Sequence, residues 1–463
     1  MIITRFAPSP TGFVHIGNIR TAIISWLFAK HNKGKFIVRI EDTDMNRLNK
    51  KSKKNILKSL YWLGINYEEG PFFQIKRINR YRNIISKMLQ FGLAYFCYSD
   101  FTELDLMRKS AIMKKKKPKY NCKWRPESQK KFEAKLNYNL KPAIRFKNPK
   151  NGIVNLNDSI SGKMNFNNVE LDDLIVVRND GFPTYNFCAS IDDFDMYITH
   201  VIRGNDHINN TPRQINILKS IFKKSLKYIH IPIILNVDKK KISKRTLDNN
   251  IVNYYNLGYL PGAIINYLGM CVFGNNNEIF NIKELIKFFK IDKINKSSFQ
   301  WNLKKLNWIN SKQIKKYDNH VLYNMIVSNI INKNDENYRK CIFYFIKLFK
   351  YRSKNLNEIL KNFMILYHIN FIQNPNLIDF YLNENIRKSL INFKINLINI
   401  RFEKNDFSLL LNKILFKYNL NINQFLINLR LIIFSQKNTP DIKYLFKILN
   451  KKKIFKKLSF LKN

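Results

Sequence analysis

The chain has 463 residues, and 45% of them are hydrophobic, which excludes an intrinsically disordered protein and leaves room for roughly two to four domains. It carries 81 Lys and Arg against 33 Asp and Glu. The resulting net charge of +48 favours a polyanionic partner such as RNA, although compositional drift explains the excess equally well. Since no uninterrupted apolar stretch could span a bilayer and the N-terminus lacks the pattern of a signal peptide, we expect a cytoplasmic protein with no membrane partner.

The first predicted elements are a strand, a turn and a helix. A short apolar run leads to Arg5, a segment rich in Pro and Gly breaks the strand, and apolar residues recur at helical spacing from Ile19 onward. Free backbone N–H groups and the helix dipole attract anions, so this helix N-terminus predicts a place for phosphate. His15 can donate a hydrogen bond to a phosphate oxygen there, and Gly17 leaves room for a flat ring or a phosphate against the backbone.

A second strand is predicted over residues 35–44, because a buried apolar run ends there in acidic residues. In an open parallel sheet, ligands bind beyond the carboxyl ends of the strands, so Glu41 would face the same crevice as Arg5 and His15. A solvated strand end is the alternative interpretation of Glu41. Helices around residues 56–63 and 81–91 complete a first α/β half.

The composition changes from about residue 97. A lysine run and Asn- and Lys-rich sequence up to about residue 140 are typical of a solvated loop, and five scattered cysteines indicate buried thiols rather than disulfides. A lysine-rich segment follows residue 237, and from about residue 320 apolar residues repeat at helical spacing. Further strands are predicted at residues 143–146, 173–178, 199–207 and 228–235.

Two short segments resemble the signatures of a known family. Residues 15–18 (His-Ile-Gly-Asn) resemble the HIGH signature of class I aminoacyl-tRNA synthetases, and residues 5–12 resemble the form that precedes it in bacterial glutamyl-tRNA synthetases. Residues 241–245 (Lys-Ile-Ser-Lys-Arg) resemble the second signature, the KMSKS loop, in its glutamyl form. Both signatures occur in the family's order with a long insertion between them, and the resemblance runs through most of the chain.

The resemblance implies an α/β fold, with a Rossmann-type parallel-sheet catalytic domain that carries an α+β insertion, followed by an all-α C-terminal anticodon-binding domain. In that last domain Arg352 aligns with the arginine that reads the last anticodon base, and a phosphate contact or a plain surface arginine is the alternative. The implied segments are the first catalytic half (1–95), the insertion that binds the acceptor end of tRNA (96–185), the second catalytic half with the lysine loop (186–250), a stem-contact region (251–320) and the helical anticodon-binding domain (321–463).

The reaction implied is the ATP-dependent ligation of L-glutamate to tRNA(Glu), through glutamyl-adenylate and with release of pyrophosphate. Adenylyl transfer depends on alignment and on positive charge where negative charge accumulates, so cations and amide donors matter more than a nucleophilic side chain. The resemblance assigns catalysis to His15, Lys241 and Lys244. It assigns ATP binding, with Mg²⁺ bridging the phosphates, to Gly17, Asn18, Asp206, Ser243 and Lys244.

The family's amino-acid pocket maps to Arg5, Ser9, Glu41, Tyr185 and Arg203. The two arginines and the Ser9 hydroxyl would take the side-chain carboxylate of glutamate, since a guanidinium group matches a carboxylate in a bidentate fork. Glu41 has the charge to take the ammonium group, and Tyr185 would line the pocket. Arg203 favours glutamate, because bound glutamine would leave this arginine buried and unpaired.

Some bacterial glutamyl-tRNA synthetases hold zinc in the insertion with closely spaced cysteines. This chain has Cys97, but Ser99 stands where a second cysteine is expected and Cys122 does not complete a ligand set, so we expect no zinc. Asn205 replaces an acid usual in the family, which leaves Asp206 as the carboxylate on the ATP side. We expect a monomer whose partners are tRNA(Glu), ATP and glutamate. The alternative function is a non-catalytic RNA-binding protein derived from a synthetase.

Overall fold

The chain folds into two compact units. The first unit consists of Met1–Asn256 and Pro261–Ile309, and the second of Leu257–Leu260 and Asn310–Asn463. The computed structural model describes residues 1–12, 14–43, 50–128, 141–236, 238–240, 250–270, 279–327, 336–367, 383–397, 406–434 and, near the C-terminus, 439, 441–442, 445–446, 454–455, 458–459 and 461.

The first unit is an α/β structure. Its strands are β1 (Ile3–Phe6), β2 (Lys35–Ile40), β3 (Glu69–Phe73), β4 (Ala94–Cys97), β5 (Ala143–Phe146), β6 (Ile153–Asp158), β7 (Gly162–Asn167), β8 (Ile175–Val177), β9 (His200–Gly204), β10 (Lys227–Ile231), β11 (Ile234–Leu235) and β12 (Phe299–Gln300). Its helices are α1 (Ile16–His31), α2 (Lys50–Leu63), α3 (Ile78–Gln90), α4 (Phe101–Met113), α5 (Tyr185–Asp195), α6 (Thr211–Phe222), α7 (Ile251–Asn256), α8 (Pro261–Gly269), α9 (Ile282–Lys287) and α10 (Leu303–Lys316), the last of which continues into the second unit.

Parallel strands form the main layer of this unit. β1, β2 and β3 form one parallel sheet in that order, and β7, β6, β10 and β9 form another, in which only β7 runs antiparallel to its neighbour. The two sheets adjoin at β1 and β9, because the backbone N–H of Thr199 donates to the carbonyl of Ile3 (3.0 Å). The predicted α/β fold with a parallel sheet is therefore confirmed.

Burial explains why these segments form strands and helices. Every residue of β2 after Lys35 is buried, as expected of a strand covered on both faces, and α1 buries Ile19, Ile23 and Leu27 at helical spacing. The apolar run over residues 228–235 is two strands rather than the single one predicted. Pro232 separates them, because it has no N–H to donate to a sheet ladder.

The chain between β3 and β9 contains a smaller antiparallel sheet, made of β4, β5 and β8. This sheet packs on α3 and α5 around the buried side chains of Phe146, Val176 and Phe187. β6 and β7 also lie in the range predicted for the insertion, yet β6 pairs with β10 of the main layer. The pairing joins segments that are distant in sequence, so the local pattern of apolar residues does not specify it.

Helices alone make up the described part of the second unit. Aromatic rings pack its interior, where Phe393 lies edge-on to Phe407 and Phe425 at centroid distances of 6.2 and 5.8 Å. The predicted helical C-terminal half is confirmed, and in neither unit is any described helix both long and apolar enough to span a bilayer. The helices of this unit after α10 are α11 (Asn319–Val327), α12 (Glu336–Phe349), α13 (Leu356–Tyr367), α14 (Glu384–Asn396), α15 (Asp406–Lys417) and α16 (Ile422–Phe434).

Candidate active site

A cavity of about 620 Å³ opens in the first unit where β1, β2, β9 and β10 end. The carboxyl ends of parallel strands meet at one edge of a sheet, and ligands of open α/β folds bind there. The volume lies in the range of small-molecule sites. Every described residue that the sequence assigned to catalysis, ATP or glutamate lines this cavity: Arg5, Ser9, His15, Gly17, Asn18, Glu41, Tyr185, Arg203 and Asp206.

The N-terminus of α1 forms one wall of the cavity. His15 is the N-cap residue, in extended conformation (φ −88°, ψ 159°), and its carbonyl accepts from the backbone N–H groups of Asn18 (2.9 Å) and Ile19 (3.2 Å). The helix thus begins at Ile16, earlier than the apolar spacing indicates. Gly17 and Asn18 therefore lie in the first turn, where the helix dipole favours an anion, although the N–H of Asn18 already donates to His15.

The chain returns to His15 shortly after residues 241–245, the segment that resembles the second signature and is called the lysine loop here. Asn250 forms an isolated antiparallel bridge with His15, and the N–H of Ile251 donates to the carbonyl of Val14 (3.1 Å). On the other side of the loop, Ile234 in β11 lines the cavity. Both ends of the loop are therefore fixed beside the cavity, while its assigned residues lie outside the described part of the chain: Lys241, Ser243 and Lys244.

A network of buried charges underlies the cavity. Arg5 donates through Nε and Nη2 to the two carboxylate oxygens of Asp193 (3.1 and 3.4 Å) and through Nη1 to the carbonyl of Ile202 (3.2 Å). Arg39, which is fully buried, donates to the same carboxylate (2.8 Å) and to Glu41 (3.2 Å). Asp193 bridges the two arginines, so the charge of Arg5 is already paired.

This network sets the ionisation of Glu41. Burial raises the pKa of Glu41 from 4.5 to about 7, although the positive charges of Arg39 and Arg5 oppose the rise. Burial also disfavours the charge of Asp193, but the same two arginines hold the pKa of this carboxyl below its usual value. Glu41 therefore titrates near neutral pH, and a cationic ligand beside it would favour the ionised form.

Arg203 has a different set of partners. Its Nη1 donates to Oε1 of Gln214 (2.8 Å), its Nη2 to Oγ1 of Thr211 (2.6 Å) and its Nε to Nε2 of His230 (3.2 Å). The guanidinium carbon also lies 5.8 Å from the ring centroid of Tyr228. These groups are neutral, and within the described ranges no carboxylate forms an ion pair with Arg203. The cavity wall therefore carries a buried positive charge that no described acid neutralises.

Two family models match the sequence. The model described as tRNA synthetases class I (E and Q), catalytic domain, matches residues 1–308, and the model described as anticodon binding domain matches residues 283–461. A protein from Bordetella avium (strain 197N) named glutamate–tRNA ligase is 40% identical over 462 residues, which cover 99% of this chain and 98% of the relative. The chain belongs to the glutamate–tRNA ligase family.

Other members of the glutamate–tRNA ligase family give the same result. The ligase from Herminiimonas arsenicoxydans is 40% identical over 443 residues, covering 95% of this chain and 94% of the relative. A crystal structure of a glutamate tRNA ligase from Elizabethkingia meningosepticum, in complex with its amino acid, matches with a TM-score of 0.83 and 26% identity over 99% of each chain. The glutamate–tRNA synthetase of Elizabethkingia anophelis matches with a TM-score of 0.81 and 27% identity, also over 99% of each chain.

The remaining cavity residues of this family member differ in exposure. Tyr185 is the first residue of α5, and its ring centroid lies 5.9 Å from that of His207. Burial, followed by the charge of Glu41, raises the pKa of Tyr185, so its hydroxyl stays neutral at physiological pH. Ser9 and Asp206 are exposed to solvent. The polar residues of the cavity thus include a buried group around Arg203 and an exposed group around Asp206.

Sequence reasoning missed several residues of this synthetase that line or support the cavity. His207 lines it, while Arg39, Asp193 and His230 lie behind residues that do. One signal for Asp193 was available, because it follows Tyr185 by about two helical turns and so lies on the same side of α5. His230 lies between Ile229 and Ile231 in the buried part of its strand, which indicates that a buried polar partner is needed.

The antiparallel sheet of this glutamate–tRNA ligase family member holds Cys97 in a polar cluster. Arg145 donates through Nε to the Cys97 sulfur (3.2 Å), and its guanidinium lies 3.7 Å from the ring centroid of Tyr120. The Tyr120 hydroxyl lies 3.4 Å from the same sulfur. Across the described ranges, no three His, Cys, Asp or Glu side chains are grouped to hold a metal ion. The expectation that zinc is absent stays a prediction.

Arg352 lies in the second unit, after the end of α12. Its side chain is exposed, and Nη1 donates to the carbonyl of Thr439 (3.1 Å). Its backbone N–H donates to the carbonyl of Phe349 (2.9 Å), which fixes the turn that follows the helix. The guanidinium is therefore held on the surface of the helical unit, and its assignment to the anticodon stays a prediction.

Proposed function

We propose that this chain uses ATP to ligate L-glutamate to tRNA(Glu) in two steps. In the first, an oxygen of the glutamate α-carboxylate attacks the α-phosphorus of ATP, and the bond from that phosphorus to pyrophosphate breaks. In the second, a hydroxyl of the terminal tRNA ribose displaces AMP from the adenylate. The observation that supports this most is that Arg203 and Glu41 line one cavity with the helix N-terminus at His15.

Arg203 takes the side-chain carboxylate of glutamate in this proposal. A hydrogen bond to a charged group contributes about 1.5–3 kcal/mol, and bound glutamine would leave the arginine buried without that partner. Arg5 also lines the cavity, but Asp193 already neutralises its charge. Arg203 therefore accounts for most of the selectivity between glutamate and glutamine, and Arg5 and the Ser9 hydroxyl complete the pocket.

Glu41 takes the ammonium group of the substrate. Its pKa of about 7 means that the free site holds a proton in part of the molecules, and an arriving cation favours the ionised carboxylate. Tyr185 closes this side of the pocket with an uncharged hydroxyl. The side-chain carboxylate and the ammonium group of the substrate thus each meet a group of opposite charge, and the α-carboxylate is left to react.

The phosphates of ATP bind at the N-terminus of α1, beside Gly17 and Asn18, where the helix dipole favours an anion. His15 donates a hydrogen bond as negative charge develops on the α-phosphate, and the loop residues Lys241, Ser243 and Lys244 bind the departing pyrophosphate. Mg²⁺ would neutralise phosphate charge. The described residues offer Asp206 and no cluster of three acids, which fits an ion held mainly by phosphate oxygens and water.

We propose the tRNA contacts by segment. Residues 96–185 would bind the acceptor end, residues 251–320 the stem, and residues 321–463 the anticodon, with Arg352 at its last base. The net charge of +48 supports extensive phosphate contact. The protein would act as a monomer in the cytoplasm, where its tRNA substrate takes part in translation.

ATP–pyrophosphate exchange tests the proposal directly. Exchange dependent on glutamate is expected, and we expect it to need bound tRNA, so tRNA(Glu) and tRNA(Gln) are compared with a reaction that contains no tRNA. Acid-stable attachment of labelled glutamate to each tRNA then identifies the RNA substrate. Glutamine and aspartate in place of glutamate serve as amino-acid controls, and both should support far less exchange than glutamate.

The runner-up function is RNA binding without catalysis. His15 and the described residues assigned to ATP and glutamate are intact and line one cavity, which favours the enzyme. If the protein binds tRNA(Glu) but gives no exchange with any amino acid or tRNA, the ligase proposal is wrong and the runner-up takes its place.

A further inference from the structure

A line of three buried side chains leads away from the cavity through Arg203. Arg203 in β9 and His230 in β10 are register partners of adjacent parallel strands, and Nε of the arginine lies 3.2 Å from Nε2 of the histidine. On its other side, Nδ1 of His230 lies 2.8 Å from Oδ2 of Asp158, the last residue of β6. His230 and the Asp158 side chain are both fully buried.

The donors and acceptors of this line fix the proton on His230. An arginine has N–H donors only and stays charged, so the Nε2 that faces it must accept. The same Nε2 lies 2.9 Å from Oγ1 of Thr211, whose hydroxyl can donate to it. The single proton of the neutral ring is therefore on Nδ1, where it is donated to Asp158. Burial lowers the pKa of His230, and the charge of Arg203 lowers it further, although the bond to Asp158 opposes this.

Asp158 is fixed as an ionised acceptor. Its Oδ1 accepts from the backbone N–H groups of Ile160 (3.0 Å) and Ser161 (2.7 Å), and its Oδ2 accepts from the backbone N–H (2.9 Å) and from Nδ1 of His230. Burial alone would raise the pKa of Asp158, but the bonds from His230, Ser161 and Ile160 hold it below its usual value. Each oxygen thus faces donors only, which a side-chain amide could not reproduce at both positions.

Arg5 is the comparison case, because a carboxylate rather than an imidazole accepts its hydrogen bonds. Asp193 orients Arg5 through both of its oxygens and, in doing so, places a negative charge directly on the guanidinium. At Arg203 an imidazole stands between the guanidinium and the carboxylate. The ring supplies the acceptor that orients the arginine, and the negative charge of Asp158 lies one residue further away.

We propose that His230, held by Asp158 in its neutral Nδ1-protonated form, is a positioning residue that orients Arg203 for the substrate carboxylate without neutralising it. This inference rests on the proposed function and deepens it. It assigns the selectivity for an acidic amino acid to His230 and Asp158 as well as to Arg203. Gln214 and Thr211 likewise accept from the two Nη atoms of Arg203, and neither places a negative charge on it.

Two substitutions of His230 separate the hydrogen bond at Nδ1, to Asp158, from the contacts at Nε2, with Arg203 and Thr211. His230→Asn keeps an N–H donor near the Nδ1 position for Asp158 but removes the acceptor for Arg203. His230→Gln carries a carbonyl oxygen that can reach the Nε2 position and accept from Arg203, but it gives up the donor to Asp158. We expect His230→Asn to raise KM for glutamate roughly 10- to 100-fold, and His230→Gln to recover most of that loss. KM for ATP should change little in either variant.

Selectivity between glutamate and glutamine separates a positioning role of His230 from a purely structural one, because a structural role would leave it unchanged. In His230→Asn the ratio of kcat/KM for glutamate to that for glutamine should fall by about tenfold or more, because the misplaced guanidinium rejects the neutral amide less well. His200→Asn is the matched control, since this half-buried histidine of the neighbouring strand does not line the cavity. Equal rises in KM for glutamate and ATP in His230→Asn would contradict the proposal.

The intact protein gives a test that does not depend on a variant's folding. With ¹⁵N-labelled histidine, His230 should show a protonated Nδ1 and an unprotonated Nε2, and this assignment should persist across neutral pH. A protonated Nε2, or a doubly protonated ring, would overturn the proposal. If the wild type shows no glutamate-dependent exchange, the proposed function fails first; if the wild type is active and His230→Asn leaves KM and selectivity unchanged, only this inference fails.

Discussion

The imidazole of His15 lies directly over the α-carbon of Gly17, so that a β-carbon at residue 17 would stand 2.9 Å from both Cε1 and Nδ1 of the ring. The sequence suggested that Gly17 leaves space for a ligand against the backbone. In the structure a side chain of the same turn occupies that space. The glycine therefore determines where the His15 ring rests.

Gly17→Ala tests this relationship. The added methyl group must displace the ring of His15, because contacts below 3.0 Å to a β-carbon are not tolerated, and the ring is flexible enough to move. We expect glutamate-dependent exchange to fall roughly 10²-fold, comparable to the loss of one transition-state donor, with little change in Tm. Gly269→Ala is the control, since a β-carbon there meets Leu27 at an ordinary 3.5 Å. A fully active Gly17→Ala enzyme would show that the ring position is unimportant.

The pKa of Glu41 predicts a pH dependence of glutamate binding. The carboxyl must be ionised to bind the ammonium group, and it is protonated in the free site below a pKa of about 7. We therefore expect kcat/KM for glutamate to rise up to about tenfold per pH unit below that value and to level off above it. Glu41→Gln should be poorly active and should lack this profile, whereas Glu69→Gln, on the surface of β3, should keep it.

The same raised pKa has a consequence for stability. The neutral form of Glu41 is favoured in the fold, so its stabilising contribution is full below about 4.5 and is lost as the pH rises through about 7. Glu41→Gln, which stays neutral, should gain Tm relative to the wild type between pH 5 and pH 8. An unchanged difference in Tm across this range would mean that Glu41 ionises at an ordinary pKa.

Arg203→Cys should separate glutamate recognition from ATP recognition. The substitution removes a buried guanidinium of the cavity that is paired with no described carboxylate, so kcat/KM for glutamate should fall by roughly 10²-fold or more. KM for ATP should stay within a few-fold of the wild type. Arg178→Cys, in an exposed turn away from the cavity, is the control. Equal losses for the two substrates would remove the assignment of Arg203.

Lys244→Ala should affect the chemical step more than glutamate binding. The chain that follows its loop is paired with Val14 and His15 through Asn250 and Ile251, and the lysine is proposed to meet the departing pyrophosphate. We expect a loss of roughly 10²–10³ in the rate of adenylate formation, measured in single-turnover reactions, with KM for glutamate nearly unchanged. Lys239→Ala, an exposed lysine just before the signature, should have little effect. A normal single-turnover rate in Lys244→Ala would contradict this role.

Metal analysis should find no stoichiometric zinc in the purified protein. The sulfur of Cys97 contacts Arg145 and Tyr120, and a guanidinium against the sulfur is an unfavourable neighbour for a divalent cation. Dialysis against a zinc-selective chelator should therefore leave both activity and Tm unchanged once Mg²⁺ is restored. One zinc per chain, together with a fall in Tm on chelation, would show that a site exists in this chain.

Local sequence specified a large part of this fold. The apolar runs, the breaks at Pro and Gly and the helical spacing after residue 320 identified the element types, because burial of one face requires those periods. The resemblance of two short segments then gave the cavity residues before any contact was known. Two element boundaries differ from the prediction, as α1 begins at Ile16 and Pro232 divides one predicted strand into β10 and β11.

Only the tertiary structure decided how the charges at the site are shared. The sequence treats Arg5 and Arg203 alike, as two arginines available to one carboxylate. Their partners come from elements far apart in the chain, so Asp193 neutralises the first while His230, itself held by Asp158, orients the second and leaves its charge uncompensated. The sequence determines the chemical character of each side chain. The electrostatic potential around that side chain depends on which donors and acceptors the fold buries beside it.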